Sequence, residues 1–556
     1  MHSRETIIVQ SDLSILLDRR SLYAVEAQQQ IQPFTELIKV MGQYEVYEIT
    51  AITLWNALTL GMKSERIVHI LHLYVKGNIP ITAQQKLQLW MNRFGRLQLQ
   101  VIDEQLILQG DREIMNELQE QSYMTDWIVA KLSDQEWVLK RESRGFVKQE
   151  LARVGYTVTD LVGYHDGETV SLQLREKTPS GQTFHLRDYQ RKAIAAFHRD
   201  KLGGSGVIVL PCGTGKTITG IGIMASLQAA TLIVTSSVTS ANQWRQELME
   251  KTTIEANRIG IYGGKQRDVS EITIATYTIL THRQRSTDQY LHMKLFSERD
   301  WGLIIYDEVQ LLPAPIFRMT ATIQATRRLG LTATLIREDG CAHDVFSLVG
   351  PKLFDMQWKK AEEQSYIAKV HCTEIRVSLA EELREPYRDA QPRTRLRIAA
   401  VNRNKLTIVK SLLQLHKGKP TLIIGQYISQ LEEISSQLNI PMLSGSTKQL
   451  EREEMYAKFR SGEYPILIVS RIANLAVDLP DACVAIQVSG SFGSRQEEAQ
   501  RIGRLLRPKQ TLNEAWFYTL VTEETKETEF ALKRGMFMLE QGYQYQCISQ
   551  HEVLSE

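Results

Sequence analysis

Short apolar runs and helical stretches alternate along most of this chain. From His185 onward the runs are Val207-Ile-Val-Leu210, Thr231-Leu-Ile-Val234, Ile272-Thr-Ile274, Leu303-Ile-Ile305 and Leu329-Gly-Leu331. Runs this short and β-branched, separated by helices, predict a parallel sheet covered on both faces. The same texture returns in Thr421-Leu-Ile-Ile424, Ile466-Leu-Ile-Val469 and Val484-Ala-Ile-Gln-Val488. The pattern therefore predicts two α/β lobes in tandem, with a junction between Pro351 and Lys369.

The chain before His185 reads differently. Glu5 to Val9 alternates like a strand, and Ile52 to Leu60 is helical. Ser64 is expected to cap a helix with the face Ile67, Ile70, Leu71 and Tyr74; Thr82 precedes another with Leu87, Trp90, Met91 and Phe94, stopped by Gly95. Arg96 to Val101 and Leu106 to Leu108 form a candidate hairpin. Two helices and a hairpin suit a winged-helix-like module, and equally a small helical cap that only packs on its neighbour. Glu136 to Arg175 reads as a small α/β unit, with a helix face Val147, Leu151 and Val154 ending at Gly155, then an alternating Val170, Leu172 and Leu174. Lys177-Thr-Pro-Ser-Gly181 reads as a linker. The expected divisions are 1–120, 121–182, 183–355 and 356–556, the last with a short insertion near 378–405. Because both lobes bring their own strands, the chain from Thr183 onward is expected to fold alone.

Composition narrows the function classes. A length of 556 residues allows three or four domains at about 150 residues each. With 66 Lys+Arg against 64 Asp+Glu the net charge is +2, so nucleic acid is not held by bulk charge and any such contact must be patterned. The 43% hydrophobic and 23% charged content excludes collagenous and low-complexity classes. The cysteines Cys212, Cys341, Cys372, Cys483 and Cys547 form no CxxC, which argues against zinc and disulfides and for a reducing compartment. The opening MHSRETIIVQSDLS lacks a signal-peptide run, and no stretch of about 18 apolar residues occurs, so a soluble, cytoplasmic protein is expected.

Leu210-Pro-Cys-Gly-Thr-Gly-Lys-Thr217 lies directly between a strand and a helix. Such a loop turns backbone N–H groups of Gly213, Thr214 and Gly215 toward a phosphate at a helix amino terminus. Lys216 can reach the β/γ-phosphates, and the Thr217 hydroxyl can ligate Mg²⁺. Leu210 replaces the first glycine of the general pattern. Leu303-Ile-Ile-Tyr-Asp-Glu308 then delivers two carboxylates to a strand's carboxyl end, where open α/β sheets bind ligands. Asp307 is expected to hold Mg²⁺ and Glu308 to polarise the attacking water. Either segment alone is commonly a glycine turn or a solvated acidic turn; together in one lobe they indicate nucleotide hydrolysis. In the second lobe Arg501, Arg504 and Arg507 recur every three residues and suit phosphate oxygens, or form a solvated face paired with Glu497 and Glu498.

On these residues the chain resembles superfamily 2 helicases, and within them the XPB family of DNA repair and transcription translocases. The resemblance implies two RecA-like lobes behind a smaller α+β amino-terminal region, with ATP and Mg²⁺ as cofactors. Leu186-Arg-Asp-Tyr-Gln190 resembles the adenine-reading motif, which gives Arg187 and Gln190 that role. Thr235, Gln243, Trp244, Tyr262-Gly-Gly264 and Thr276-Tyr277 are similar to strand-tracking motifs. Leu331-Thr-Ala-Thr334 is similar to the motif coupling hydrolysis to lobe movement, through Thr332 and Thr334. Arg337, Glu338 and Asp339 match the three-residue motif implicated in unwinding; Ser470 and Arg471, with Gly445-Ser-Thr447 and Asp478-Leu-Pro480, resemble nucleic-acid and coupling motifs. Gln500-Arg-Ile-Gly-Arg504 resembles the arginine-finger motif, with Arg504 and Arg507 as catalytic cations. The segments around Trp55 and from Gly155 to Gly167 resemble amino-terminal and damage-recognition-like parts. Gln310 stands where a histidine is usual, Ala473-Asn474 replaces Gly-Asp, and Ser378 to Lys405 is short for the DNA-gripping thumb. That interval still offers Arg393, Arg395, Arg397, Arg403 and Lys405 without an acid from Gln391 onward, either as a phosphate grip or as a solvated loop.

The resemblance implies a 3′ to 5′ DNA helicase or translocase acting on single strands and forked duplex, monomeric, nucleoid-associated, with a nuclease or a repair or transcription factor as protein partner and no membrane contact. Rival readings are an RNA helicase, a duplex translocase that never separates strands, and a nucleotide-gated scaffold for a nuclease.

Overall fold

The computed structural model describes residues 4–41, 43–119, 122–198, 204–211, 213–282, 291–324, 326–333, 342–470, 482–490, 513–540 and 545–555. They divide into two compact units, one of Met1–Leu210 with Gly215–Asp355, the other of Met356–Glu556 with Pro211–Thr214.

The first unit is built around an eight-stranded sheet. Its order is Gln266–Arg267, Ile259–Gly263, Ile272–Thr276, Thr231–Thr235, Leu303–Asp307, Arg327–Thr332, Ser205–Val209 and Lys352–Asp355, parallel throughout except for the first pair. Every residue of Ser205–Val209, Thr231–Thr235, Ile272–Thr276 and Leu303–Asp307 is buried, as expected of strands covered on both faces. All five runs read from the sequence are strands of this sheet; Ile259–Gly263, Gln266–Arg267 and Lys352–Asp355 were not anticipated.

The amino-terminal region holds two further sheets. Ile7–Val9, Ser14–Asp18, Tyr44–Glu48 and Glu36–Met41 form an antiparallel four-stranded sheet beside the helices Ala24–Ile31, Ala51–Thr59, Ser64–Tyr74 and Ile81–Arg93. Ile67, Ile70, Leu71 and Tyr74 are buried as the periodicity requires. Ser64 is the first helical residue rather than the cap, and Thr82 lies inside a helix that Pro80 precedes. Leu97–Ile102 and Gln105–Gly110 do form a hairpin, but it pairs onward with Glu136–Leu139 and Val158–Asp160. This five-stranded sheet crosses the boundary expected at residue 120 and replaces the winged-helix arrangement: the hairpin's buried Leu97, Leu99, Leu106 and Leu108 pack with Trp137, Val147 and Leu151.

The helix Arg144–Arg153 anchors this region to the first lobe. Gly145 lies so close to the helix Ala314–Thr322 that a Cβ there would sit 2.2 Å from the Ala321 carbonyl oxygen. Behind it, Asp160 accepts from Arg144 at 2.9 Å and from Lys148 at 2.6 Å. Burial alone would raise the Asp160 carboxyl; Lys148 and Arg144 instead hold it below the usual carboxylate range. Burial draws Lys148 down to about 7. Tyr164 carries Arg144 and Arg328 over its ring, each at 5.5 Å, and fully buried Arg328 donates to the Leu348 carbonyl and the Ser205 hydroxyl.

Val170, Leu172 and Leu174 do not form a strand of a separate unit. They belong to an extended strap on the lobe, where Glu168 N–H donates to Asp300, Val170 to Gln228 and Arg175 to Lys251. Val170 and Leu172 are each 1% exposed, so their alternation records burial against the lobe.

The second unit has a wholly parallel seven-stranded sheet in the order Met442–Leu443, Ile466–Ser470, Thr421–Gly425, Val484–Gln487, Glu514–Thr522, Lys369–Val377 and Tyr545–Ser549. Its core gathers Ile375, Ile408, Val409, Ile423, Ile468 and Ile486. The interval 378–405 forms two helices, Glu381–Asp389 and Pro392–Ala400. Its cations are mostly engaged: Lys405 is buried and donates to Glu527 at 2.7 Å and to the Val488 carbonyl, Arg395 to the carbonyls of Ala390 and Arg388, and Arg403 lies 3.7 Å from Glu433. Arg397 is exposed, and the Arg393 side chain lies outside the described ones. Lys405 therefore holds the lobe together and does not face a phosphate. Among the described residues, no helix is long and apolar enough to cross a membrane.

Candidate active site at the carboxyl edge of the first lobe

The loop after Ser205–Val209 and the carboxyl ends of Thr231–Thr235, Leu303–Asp307 and Arg327–Thr332 meet at one edge of the sheet. Gly213 (φ 80°) and Gly215 (φ 81°) adopt the left-handed conformation that lets the loop turn into the helix Lys216–Leu227. A Cβ on Gly215 would also approach the Gln190 amide nitrogen to 2.8 Å. Thr214 closes the turn by donating to the Pro211 carbonyl at 2.6 Å. Lys216 and half-buried Thr217 thereby open a helix amino terminus, the local geometry of a phosphate cradle. Gln190 is buried, accepts from the Arg187 N–H at 2.9 Å and donates to the Gly215 carbonyl at 3.4 Å. Arg187 in turn donates to the Tyr189 hydroxyl.

Asp307 ends its strand with its carboxylate buried. Its Oδ2 accepts from the Trp244 indole N–H at 2.9 Å and from the Thr235 hydroxyl at 3.3 Å, while its backbone carbonyl accepts from the Tyr277 hydroxyl at 2.9 Å. Among the described residues, Oδ1 takes no hydrogen bond. Burial, and secondarily the charge of Glu308, pushes the Asp307 carboxyl up to about 6 against the pull of the Trp244 donor and Lys216. A buried carboxylate with one oxygen engaged and one left over suits a hard cation, and the Thr217 hydroxyl is of the right donor type.

Glu308 follows in a left-handed conformation (φ 53°, ψ 55°), which a non-glycine residue rarely adopts and which re-aims the side chain at the strand's end. Its carboxylate lies 3.8 Å from the Lys216 ammonium and accepts from the Gln310 amide at 2.8 Å. Gln310 accepts in turn from the Thr332 hydroxyl at 2.6 Å. The structure thus brings Gln190, Gly215, Lys216, Thr217, Asp307, Glu308, Gln310 and Thr332 to one edge.

Of the residues expected to track a strand, Gln243 and Gly264 are exposed. Thr235, Trp244 and Thr276 are buried; the first two turn to Asp307, and the Thr276 hydroxyl caps the short helix Tyr277–Leu280. Trp244 had no sequence signal for a role at the carboxylate, because its helix is read by period alone. Tyr277 was noted only as part of a motif. In the second unit Ser470 is buried at its strand's end, and its hydroxyl has no partner among the described residues. Thr334, Arg337, Glu338, Asp339, Arg471, Arg504 and Arg507, like Cys212 and Ala473-Asn474, lie outside the described residues.

Residues 361–556 match the family described as ERCC3/RAD25/XPB C-terminal helicase, residues 183–337 the res subunit of type III restriction enzymes, and residues 7–133 a helicase conserved C-terminal domain. The chain is 43% identical over 541 residues to the DNA 3′-5′ helicase XPB of Mycobacterium tuberculosis, covering 97% of each chain. It is likewise 43% identical to the DNA 3′-5′ helicase XPB of Kineococcus radiotolerans, covering 98% of this chain and 97% of that one. To the XPB subunit of the general transcription and DNA repair factor IIH of Saccharomyces cerevisiae it is 28% identical, over 98% of this chain and 72% of the relative. With tandem RecA-like lobes, a phosphate loop and an Asp-Glu pair on one sheet edge, and full-length relatives of this kind, the chain belongs to the XPB family of superfamily 2 DNA helicases.

Proposed function

We propose that the protein is an ATP-driven DNA helicase that moves 3′ to 5′, opening forked duplex in repair or transcription-linked work. The observation that carries this reading is the convergence of Lys216, Asp307 and the Glu308–Gln310–Thr332 chain on one sheet edge. In this reading Gln190 and Arg187 read the adenine, and the N–H groups of Gly213, Thr214 and Gly215 with Lys216 bind the phosphates. Glu308 takes the proton of the attacking water, and Gln310 links Glu308 to Thr332. Thr217 and Asp307 would hold Mg²⁺, which when bound neutralises phosphate charge. Arg504 and Arg507 supply transition-state cations from the second lobe, Arg337, Glu338 and Asp339 act in strand separation, and Ser470, Arg471 and Thr334 act in coupling.

The working division of the chain is an accessory region to residue 182, a first lobe 183–355 and a second lobe 356–556. The enzyme acts as a monomer on nucleoid DNA, with a nuclease or a repair or transcription factor as its protein partner.

The test is the ATPase rate with single-stranded DNA, forked duplex and RNA side by side, together with unwinding of a 3′-tailed fork. Stimulation by DNA and unwinding are expected. Lys216→Ala should lose nucleotide binding, and Glu308→Gln should keep it while turnover falls on the order of 10²-fold or more. Stimulation by RNA alone overturns the reading; DNA-stimulated hydrolysis without strand separation leaves a duplex translocase.

A further inference from the structure

The helix Val238–Lys251 lies beside the nucleotide site and delivers one side chain into it. Trp244 is 1% exposed, and its indole N–H points at Asp307 Oδ2 over 2.9 Å, a charge-assisted bond when the carboxylate is ionised. The ring is seated by the phosphate-loop helix: a Cβ on Gly220 would lie 2.7 Å from the Trp244 Cη2 atom, so only glycine leaves room for the indole. Thr235, wholly buried at the end of the neighbouring strand, gives the same oxygen a second donor at 3.3 Å. A two-donor grip on one carboxylate oxygen fixes the carboxylate plane and leaves Oδ1 as the oxygen available to a ligand.

We propose that Trp244 and Thr235 are positioning residues that clamp Asp307 Oδ2, so that Oδ1 is presented to the divalent cation accompanying the nucleotide. This rests on the reading of Asp307 as the cation's carboxylate. Neither residue touches the reacting atoms; both act through Asp307. The clamp also gives Trp244 a task distinct from the strand contact expected of its segment, whose exposed member is Gln243.

The experiment is isothermal titration of ADP into the full chain, once with Mg²⁺ and once with EDTA. The ratio of the two affinities measures the cation's contribution without any turnover. Asp307→Asn should collapse the ratio. Trp244→Phe, which removes the N–H together with the outer ring on Gly220, should lower it on the order of tenfold and lower the thermal melt while leaving the EDTA affinity unchanged; partners that orient ligands commonly have effects of about 10–100-fold. Thr235→Val removes the weaker donor without disturbing the Gly220 contact and should lower the ratio in the same direction. A parental ratio in Trp244→Phe and Thr235→Val, beside a collapsed ratio in Asp307→Asn, overturns the clamp alone. An unchanged ratio in Asp307→Asn overturns the cation reading and the clamp with it. A fall in EDTA affinity matching the fall with Mg²⁺ makes Trp244 a packing residue only; Thr235→Val then decides, since a parental ratio there overturns the clamp.

Discussion

Gln310 shows how one amide can serve two neighbours at once. Its nitrogen donates to Glu308 at 2.8 Å and its oxygen accepts from Thr332 at 2.6 Å, so the Glu308 carboxylate and the strand end at Thr332 are joined through one amide plane. A neutral imidazole offers the same pair of functions, one nitrogen donating and one accepting, but loses its acceptor on protonation. The glutamine keeps its acceptor over the range in which an imidazole would lose one. Gln310→Leu should lower kcat on the order of 10²-fold with little change in the KM for ATP, because Glu308 loses its aim. Gln310→His should restore much of the rate at pH 8 and lose it as pH falls through about 6.5, where a histidine takes up its proton. Steady-state ATPase measured across that range checks both, and a flat profile for Gln310→His would show that the link to Thr332 is not needed.

At the scale of elements, the helix Arg144–Arg153 depends on a buried cluster with more cations than acids. Arg144, Lys148 and Arg328 all lie within it, and Asp160 is the carboxylate that answers Arg144 and Lys148. Asp160→Asn leaves those buried cations unanswered and should destabilise the first unit by about 3–5 kcal/mol. Lys148→Met removes one desolvated ammonium and should be milder; urea unfolding of the two variants gives the order. This cluster was not legible in the sequence, because Asp160 and Arg328 are distant along the chain and ordinary in composition. What could be read was the short β-branched run: Thr231–Thr235 and Thr421–Gly425 have no competing pattern. Lys369–Val377 escaped because His371, Glu374 and Arg376 interrupt its apolar positions, although Glu374 is only 2% exposed and is held by Tyr545 and Arg376. The phosphate loop and Asp-Glu pair were legible because their chemistry dictates both residue type and place on the strand. Trp244's turn toward Asp307 depends on how two elements pack, and a single sequence does not carry that.

Across the molecule, the accessory region is tied to the first lobe at several points. The strap from Glu168 to Arg175 donates to carbonyls of the first lobe and buries Val170 and Leu172, and Asn56 accepts from the Lys352 N–H at 3.1 Å. Each apolar side chain so buried contributes about 1.5–3 kcal/mol. A chain starting at Thr183 should therefore melt well below the parent and aggregate, whereas one starting at Glu168, which keeps the strap, should recover part of the loss. Equal melting of the two would return the strap to the status of a linker. The second unit poses a different problem, one of timing. Its strand Lys369–Val377 lies between Glu514–Thr522 and Tyr545–Ser549, partners that leave the ribosome long after it. At about 5–20 residues per second the wait is on the order of 10 seconds, during which both edges of that strand are open to other chains. The order of strands thus makes Tyr545–Ser549 a condition for closing the sheet, and a nascent chain halted before Tyr545 keeps an edge to which a second copy can pair.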